Sequence, residues 1–310
     1  MVPQRAPRRD ANELSTIVAP KLPIDLDLTL APLAHGAHDP TMRRDAGAWW
    51  RATRTPLGPT TVRYEPMASG GVRVRAWGDG AEWAIAHAPD LVGANDSLEG
   101  FAPTGKLAEL HRRFAGLRVV RSRAVFEAAV AGVVGQLVTF IEAFHSFASM
   151  LRAWGEAAPG PIDLTLPLSP SALARRASWE LREHGVERKR AATLVALARR
   201  APRLEEAIDM PMDRAHARLL AMPGIGPWTT AKIAAVALGD ADAVPVGDFH
   251  LKHAVAYAFT GRARGDDEEM LELLAPYAGH RGRVVRLIEL AGIHAPRFGP
   301  RRALRKMRSR

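Results

Sequence analysis

The chain contains no cysteine, which excludes disulfides, thiolate zinc sites, cysteine nucleophiles and cysteine-ligated iron–sulfur clusters. It has no run approaching the roughly eighteen apolar residues of a membrane helix. Its opening, MVPQRAPRRDANELSTIVAPKLP, lacks the apolar centre of a secretory leader. Acidic side chains are in deficit: 33 Asp and Glu face 43 Lys and Arg, a net charge of +10. The expectation is a soluble, cytoplasmic, nucleoid-associated protein with no membrane contact. A positive excess of this size attracts polyanions and would steer the molecule onto a phosphate backbone. Charge alone leaves a merely soluble basic protein equally open.

At 310 residues the chain can form two or three packed units. The expected organisation is a flexible arm at 1–20, an N-terminal α/β domain at 21–118, a helical domain at 119–295 and a basic tail at 296–310. The fold class is mostly α with an N-terminal α+β domain. Ile24, Leu26, Leu28 and Leu30 alternate with Asp25, Asp27 and Thr29, the two-residue period of a half-buried strand. TTVRYEPM and GVRVRAWGDGAEWAIAHA predict further strands, with Gly78-Asp79-Gly80 as a hairpin turn. GKLAELHRRFAG predicts a helix. Beyond Arg121 the period changes: Val125, Phe126, Val130, Val133, Val134 and Leu137 recur at spacings of three and four, one buried helical face. Gly135-Gln136-Leu137-Val138 separates this helix from a second one that runs to Trp154. A proline-rich loop and a series of short helices follow, with Gly185 as a C-cap.

The most informative stretch is LLAMPGIGPWTTAKIAAVALGDADAVPVGDFHLK, Leu219 to Lys252. It predicts a helix, a turn at Met222–Pro227 and a second helix, a hairpin spanning 213–238. Gly224 and Gly226 lack a Cβ, so the chain can turn sharply and another backbone can approach. Pro227 is tolerated at a helix start, where its missing N–H would be unpaired anyway. Free N–H groups and the positive dipole end of the second helix suit an anion, so the turn reads as a main-chain phosphate cradle. A plain helix–turn–helix corner is the other reading. Asp248 precedes a helical run and suits an N-cap; the same geometry leaves one oxygen to face a cleft. Asp240 and Asp242, on the loop before it, read as solvated.

MPGIGPWTTAKIAAVAL followed by VPVGDFHLK resembles the helix–hairpin–helix plus Gly/Pro…Asp motif of the HhH-GPD DNA glycosylase superfamily. The tryptophan and its spacing to Asp248 look like the 3-methyladenine DNA glycosylase II (AlkA-like) branch, and FEAAVAGVVGQLVTFIEAF is similar to that branch's Gly-Gln-Leu-Val helix pair. The resemblance covers about residues 24–295. It implies two helical subdomains flanking a cleft, plus a small antiparallel-sheet domain of TATA-binding-protein-like topology. It implies a monomer that binds double-stranded DNA containing a damaged base, needs no cofactor, and begins base-excision repair on alkylated purines.

Carried onto this sequence, the resemblance makes Asp248 the catalytic carboxylate, stabilising the positive charge that grows on the sugar as the N-glycosidic bond breaks. Gly224, Ile225, Gly226 and Thr229 would hold DNA phosphates. Leu137 would plug the gap left by an extruded nucleotide, with Gln136 near the opposite strand; a core leucine is the bland alternative. Trp228, Lys232 and Glu289 would line the base pocket. Bifunctional members carry a lysine where Trp228 stands, so no Schiff base and no strand nicking are expected. Lys232 stands where the branch commonly has an aromatic, and it would repel a cationic base unless paired, for instance with Glu289. His250 and His253 read as surface or packing histidines, not metal ligands, and the hairpin carbonyls could hold a structural monovalent cation. Arg188, Lys189, Arg190 and the tail from Arg297 are candidate phosphate contacts. Two other functions remain open: a glycosylase for oxidised or deaminated bases, and a non-catalytic lesion-binding protein.

Overall fold

The computed structural model describes residues 13–296. Most of the expected arm and all but the first residue of the basic tail lie outside them. The arm ends earlier than its composition suggested, because Leu14–Val18 forms strand β1 and pairs antiparallel with Val72–Trp77. Only Val18 of the five is buried, so the segment carries no apolar period; main-chain hydrogen bonds to its neighbour hold it.

The segment expected as a strand at Ile24–Leu30 is helical instead. Asp25 Oδ1 accepts from the Asp27 and Leu28 amides at 2.8 and 3.1 Å, capping α1, Leu26–Leu30. Leu26 and Leu30 satisfy a period of two and a spacing of four alike. The aspartate cap favours the helix, which then buries Leu26, Thr29 and Leu30.

Four further strands follow: β2 (Met42–Asp45), β3 (Ala48–Thr55), β4 (Gly58–Pro66) and β5 (Val72–Trp77). The sheet runs β1-β5-β4-β3-β2, each neighbouring pair antiparallel. Trp49 and Trp50 point to opposite faces, as successive strand residues must. Trp49 faces the core that α1, α2 (Ala81–Ala86) and α3 (Ala88–Leu91) complete. Trp50 stacks on Trp77 at 5.3 Å and packs under Leu164 and Leu166 on the other face. Gly78-Asp79-Gly80 is therefore no hairpin turn. It leads β5 into α2, where a Cβ on Gly78, at φ +97°, would strike Pro159 and the Pro59 carbonyl.

The helical region has two cores. The larger surrounds α5 (Val125–Val134) and includes α6 (Phe140–Trp154), α9 (Arg188–Ala198), α10 (Ala201–Glu205) and α11 (Met212–Leu220), with α7 (Pro170–Ala174) and α8 (Ser178–Glu183) at its rim. Glu205 caps α5 by accepting from the Val125 and Phe126 amides at 3.1 and 2.8 Å. Burial pushes that carboxyl up to about 6, against the two amide bonds that favour its charge. Arg51 of β3 reaches Glu127 of α5 at 2.8 Å and ties the sheet to this core.

The second core joins α13 (Leu251–Thr260), α14 (Asp267–Leu274) and α15 (Arg281–Leu290). Leu107 and Leu110 of α4 (Gly105–Arg113) pack here too, although a boundary at 118 would group α4 with the sheet. Among the described residues no helix is long and apolar enough to cross a membrane.

Candidate active site

The expected hairpin is present. Helix α11 leads through Ala221–Gly226 into α12, Pro227–Ile233. The next five residues, Ala234–Leu238, widen into a π-helical turn that ends on Gly239 at φ +73°. Gly224 has φ +80°, and a Cβ there would run into the Thr193 side chain of α9. Gly226 is extended, and a Cβ on it would meet nothing. The turn is thus wedged against α9 on one side and open on the other. The amides of Gly224, Gly226, Trp228 and Thr229 have no partner among the described residues and are available to an anion.

Two members of the expected phosphate set are engaged elsewhere. The Ile225 amide donates to the Met222 carbonyl at 3.1 Å, and its side chain is buried in the larger core. Thr229 is buried and its hydroxyl accepts from Gln136 at 2.8 Å, so only its amide is free. Gly224→Ala combines a left-handed φ with the Thr193 clash and should cost about 1–3 kcal/mol. Chemical unfolding of the variant beside Gly226→Ala, which should be near neutral for stability, checks this.

Asp248 lies at the entrance to α13. Its Oδ1 accepts from the His250 and Leu251 amides at 2.9 and 3.0 Å, which is the capping role. Its Oδ2 accepts from the Trp228 indole N–H at 3.0 Å, which joins the aspartate to the first turn of α12. Burial alone would raise this carboxyl. The indole, the two amides and the positive charge of Lys232 outweigh burial and hold it below the usual carboxylate value. The group is therefore an anion near neutral pH, half-buried and tied to the first turn of α12.

The loop to Asp248 is not solvated as its composition suggested. Asp240 is buried and takes His216 Nε2 of α11 at 2.8 Å; that hydrogen bond raises the imidazole against its burial. Asp242 receives Arg281 Nε at 2.9 Å and the Arg281 amide at 3.0 Å. Both acids strap the segment to helices distant in sequence.

Leu137 has φ +58° and is 95% exposed. A core leucine is thereby ruled out: a non-glycine residue held in a sparsely populated conformation presents its side chain to solvent. Gln136 does not extend beside it. Its Nε2 donates to the Gly224 carbonyl at 3.0 Å and to Thr229 Oγ1 at 2.8 Å, pinning the loop to the hairpin and occupying one carbonyl considered for a cation. A methyl on Gly135 would lie 3.6 Å from the Trp228 ring, so this loop, Trp228 and Asp248 are contiguous.

Lys232 follows Trp228 by one helical turn and stands 6.0 Å from the centre of its ring. Glu289 does not pair with it; that exposed acid lies 3.3 Å from Arg286 on its own helix. Arg190 is buried and donates to the Val134 carbonyl at 2.6 Å, which removes it from the phosphate candidates; Arg188 and Lys189 are exposed. His253 Nδ1 lies 3.2 Å from the Gly265 amide, and among the described residues no His, Cys, Asp or Glu cluster could hold a metal ion. Sequence reasoning missed three exposed neighbours of the site: Phe140 at 71%, Ile141 at 52% and Phe249 at 73%. Each lies within four residues of Leu137 or Asp248, and apolar side chains beside an expected DNA contact were the available signal.

No family model matches the sequence. A DNA-3-methyladenine glycosylase of Bacillus subtilis is 25% identical over 171 residues, 54% of this chain and 56% of that protein. A "probable bifunctional transcriptional activator/DNA repair enzyme AlkA" of Mycobacterium tuberculosis is 31% identical over 144 residues, 45% of this chain and 28% of that one. The chain thus spans about half the length of one curated relative and about a quarter of the other. The solved structure of a 3-methyladenine DNA-glycosylase from Archaeoglobus fulgidus superposes with a TM-score of 0.77 at 21% identity, over 88% of this chain and 97% of that one; this likeness concerns the fold.

Proposed function

We propose that this chain is a helix–hairpin–helix DNA glycosylase of the AlkA-like branch and hydrolyses the N-glycosidic bond of damaged bases in double-stranded DNA. The observation that carries the reading is the Trp228–Asp248 hydrogen bond, 3.0 Å long. It ties one anion to the first turn of α12, the helix that the hairpin turn opens. The substrates are alkylated purines and the product is an abasic site.

In this reading the hairpin amides hold the sugar–phosphate backbone of the strand whose nucleotide has been everted. Leu137 fills the vacated space, and Gln136 acts from behind by locking the wedge loop to the hairpin rather than by touching the other strand. The base is received against the Trp228 ring. As the glycosidic bond lengthens, positive charge grows on the sugar, and Asp248 opposes it with an anion already in place. A carboxylate held below its usual range is a weak base but a dependable charge, so electrostatic stabilisation dominates over proton abstraction from water. Hydrolysis of this kind needs no cofactor, and Trp228 offers no amine to attack C1′.

The test uses duplexes carrying 1,N6-ethenoadenine or 7-methylguanine. The protein should leave a site that alkali cleaves and the protein alone does not, and borohydride should trap no covalent adduct. A trapped adduct would refute hydrolysis without a Schiff base and make Lys232 the first amine to replace. A glycosylase for oxidised or deaminated bases is the second reading, favoured by the Lys232 ammonium beside the Trp228 ring.

A further inference from the structure

Trp228 and Lys232 are four residues apart on α12 and share one face of that helix. The ammonium stands 6.0 Å from the ring centre, inside the range of a cation–π contact. Lys232 makes no ion pair with any described residue, and the acid that could have neutralised it is held by Arg286. Its charge also acts on Asp248, whose ionised form it favours. The aromatic surface nearest the catalytic anion therefore already has a cation.

We propose that Lys232 makes this site select uncharged damaged bases over cationic ones. The inference rests on the reading above, that an everted base is received against Trp228. A base on the near face of the ring meets the ammonium directly. On the far face, stacking adds about 4 Å to the separation, which leaves the two centres about 10 Å apart. At an effective dielectric of about 20, like charges 6–10 Å apart weaken association about 15- to 100-fold, and the solvent exposure of Lys232 favours the lower figure. A neutral base experiences none of this. Asp248 attracts a cationic base in wild type and variant alike, so its contribution cancels between them.

The experiment uses the full chain and two otherwise identical duplexes. One carries neutral 1,N6-ethenoadenine. The other carries 7-methylguanine, under mildly acidic conditions where the methylated ring is positively charged. The quantity is the ratio of kcat/KM for the neutral lesion to that for the cationic one, in wild type, Lys232→Met and Lys232→Arg. Lys232→Met should move the ratio toward the cationic lesion by about tenfold or more, and Lys232→Arg, which keeps the charge, should retain the wild-type ratio. Because every protein is compared on the same two substrates, leaving-group reactivity and any loss of folded protein cancel. A ratio unmoved in Lys232→Met, or moved as far in Lys232→Arg, overturns the proposal. If wild type excises neither base, the glycosylase reading fails and this inference fails with it. If it excises both while the ratio stays fixed, only the role of Lys232 is lost.

Discussion

Asp248→Asn should lower kcat about 10²- to 10³-fold, the effect of removing one preorganised group that faces developing charge. Duplex affinity should hold or rise slightly, because a negative charge leaves a surface that meets phosphates. The asparagine oxygen can still accept from the His250 and Leu251 amides, which now bond Oδ1 at 2.9 and 3.0 Å. Its amide nitrogen would then face the Trp228 indole N–H, two donors with no acceptor, so a modest stability loss accompanies the loss of rate. Trp228→Phe separates the two effects. It keeps the carboxylate and a ring but removes the donor that helps hold Asp248 below its usual range. The acid limb of kcat/KM, expected below the ordinary carboxylate value in wild type, should move upward in Trp228→Phe. The same linkage governs stability. The ionised Asp248 contributes at neutral pH, and its contribution is lost as pH falls from the ordinary carboxylate range through the lowered value. Unchanged turnover in Asp248→Asn would remove the catalytic assignment.

Arg283→Leu should destabilise the protein by about 3–5 kcal/mol, because it leaves the buried Asp96 carboxylate without its ion-pair partner, with the Val119 amide, 3.1 Å from Oδ2, as its remaining hydrogen-bond donor among the described residues. Arg283 and Asp96 are 1% and 4% exposed and meet in a two-pronged pair at 2.6 and 2.9 Å. The guanidinium also donates to the Ser97 carbonyl at 3.2 Å and to His280 Nδ1 at 3.2 Å, and His280 Nε2 in turn lies 2.8 Å from the Glu99 carbonyl. Surface pairs such as Arg44–Asp27, with side chains 55% and 48% exposed, contribute at most about 1 kcal/mol. Adding Asp96→Asn to Arg283→Leu should recover part of the loss, since the stranded charge is then gone. Denaturant midpoints for the two single variants and the double variant check this, and equal loss in Arg283→Leu and the double variant would contradict it. Turnover should fall as well. The Arg283 amide holds the Ala241 carbonyl at 2.9 Å, and a Cβ on Gly282 would meet the Ala243 carbonyl at 2.6 Å. The start of α15 therefore clamps the segment that delivers Asp248.

The hairpin is legible in the sequence because its determinants are local. Gly224 needs a left-handed φ, Pro227 suits a first helical position, and α11 and α12 carry their own apolar period. Asp248 was readable from its place at a helix entrance, twenty residues beyond a tryptophan. Strand β1 was not, since an edge strand with one buried side chain of five has no apolar pattern to detect. Helix α1 was misread because Leu26 and Leu30 fit both periods, and the Asp25 cap decides between them only once the helix has a core to cover. The family resemblance, not any local pattern, put Gln136 near the opposite strand. Its actual partners, Gly224 and Thr229, lie 88 and 93 residues away in sequence.

The amino-acid order by itself determined the elements whose stability is local: the hairpin, the two helices around the Gly135–Val138 break, and the aspartate at a helix start. Their turns, caps and periods involve residues only a few positions apart. Tertiary structure alone decided which groups are charged, paired or free around that aspartate. Trp228 gives Asp248 its indole N–H, Asp240 and Asp242 become straps, Glu289 turns to Arg286, and Lys232 makes no ion pair among the described residues. Each outcome depends on distances of a few ångströms between segments far apart in the chain, and those distances exist only after the cores have packed.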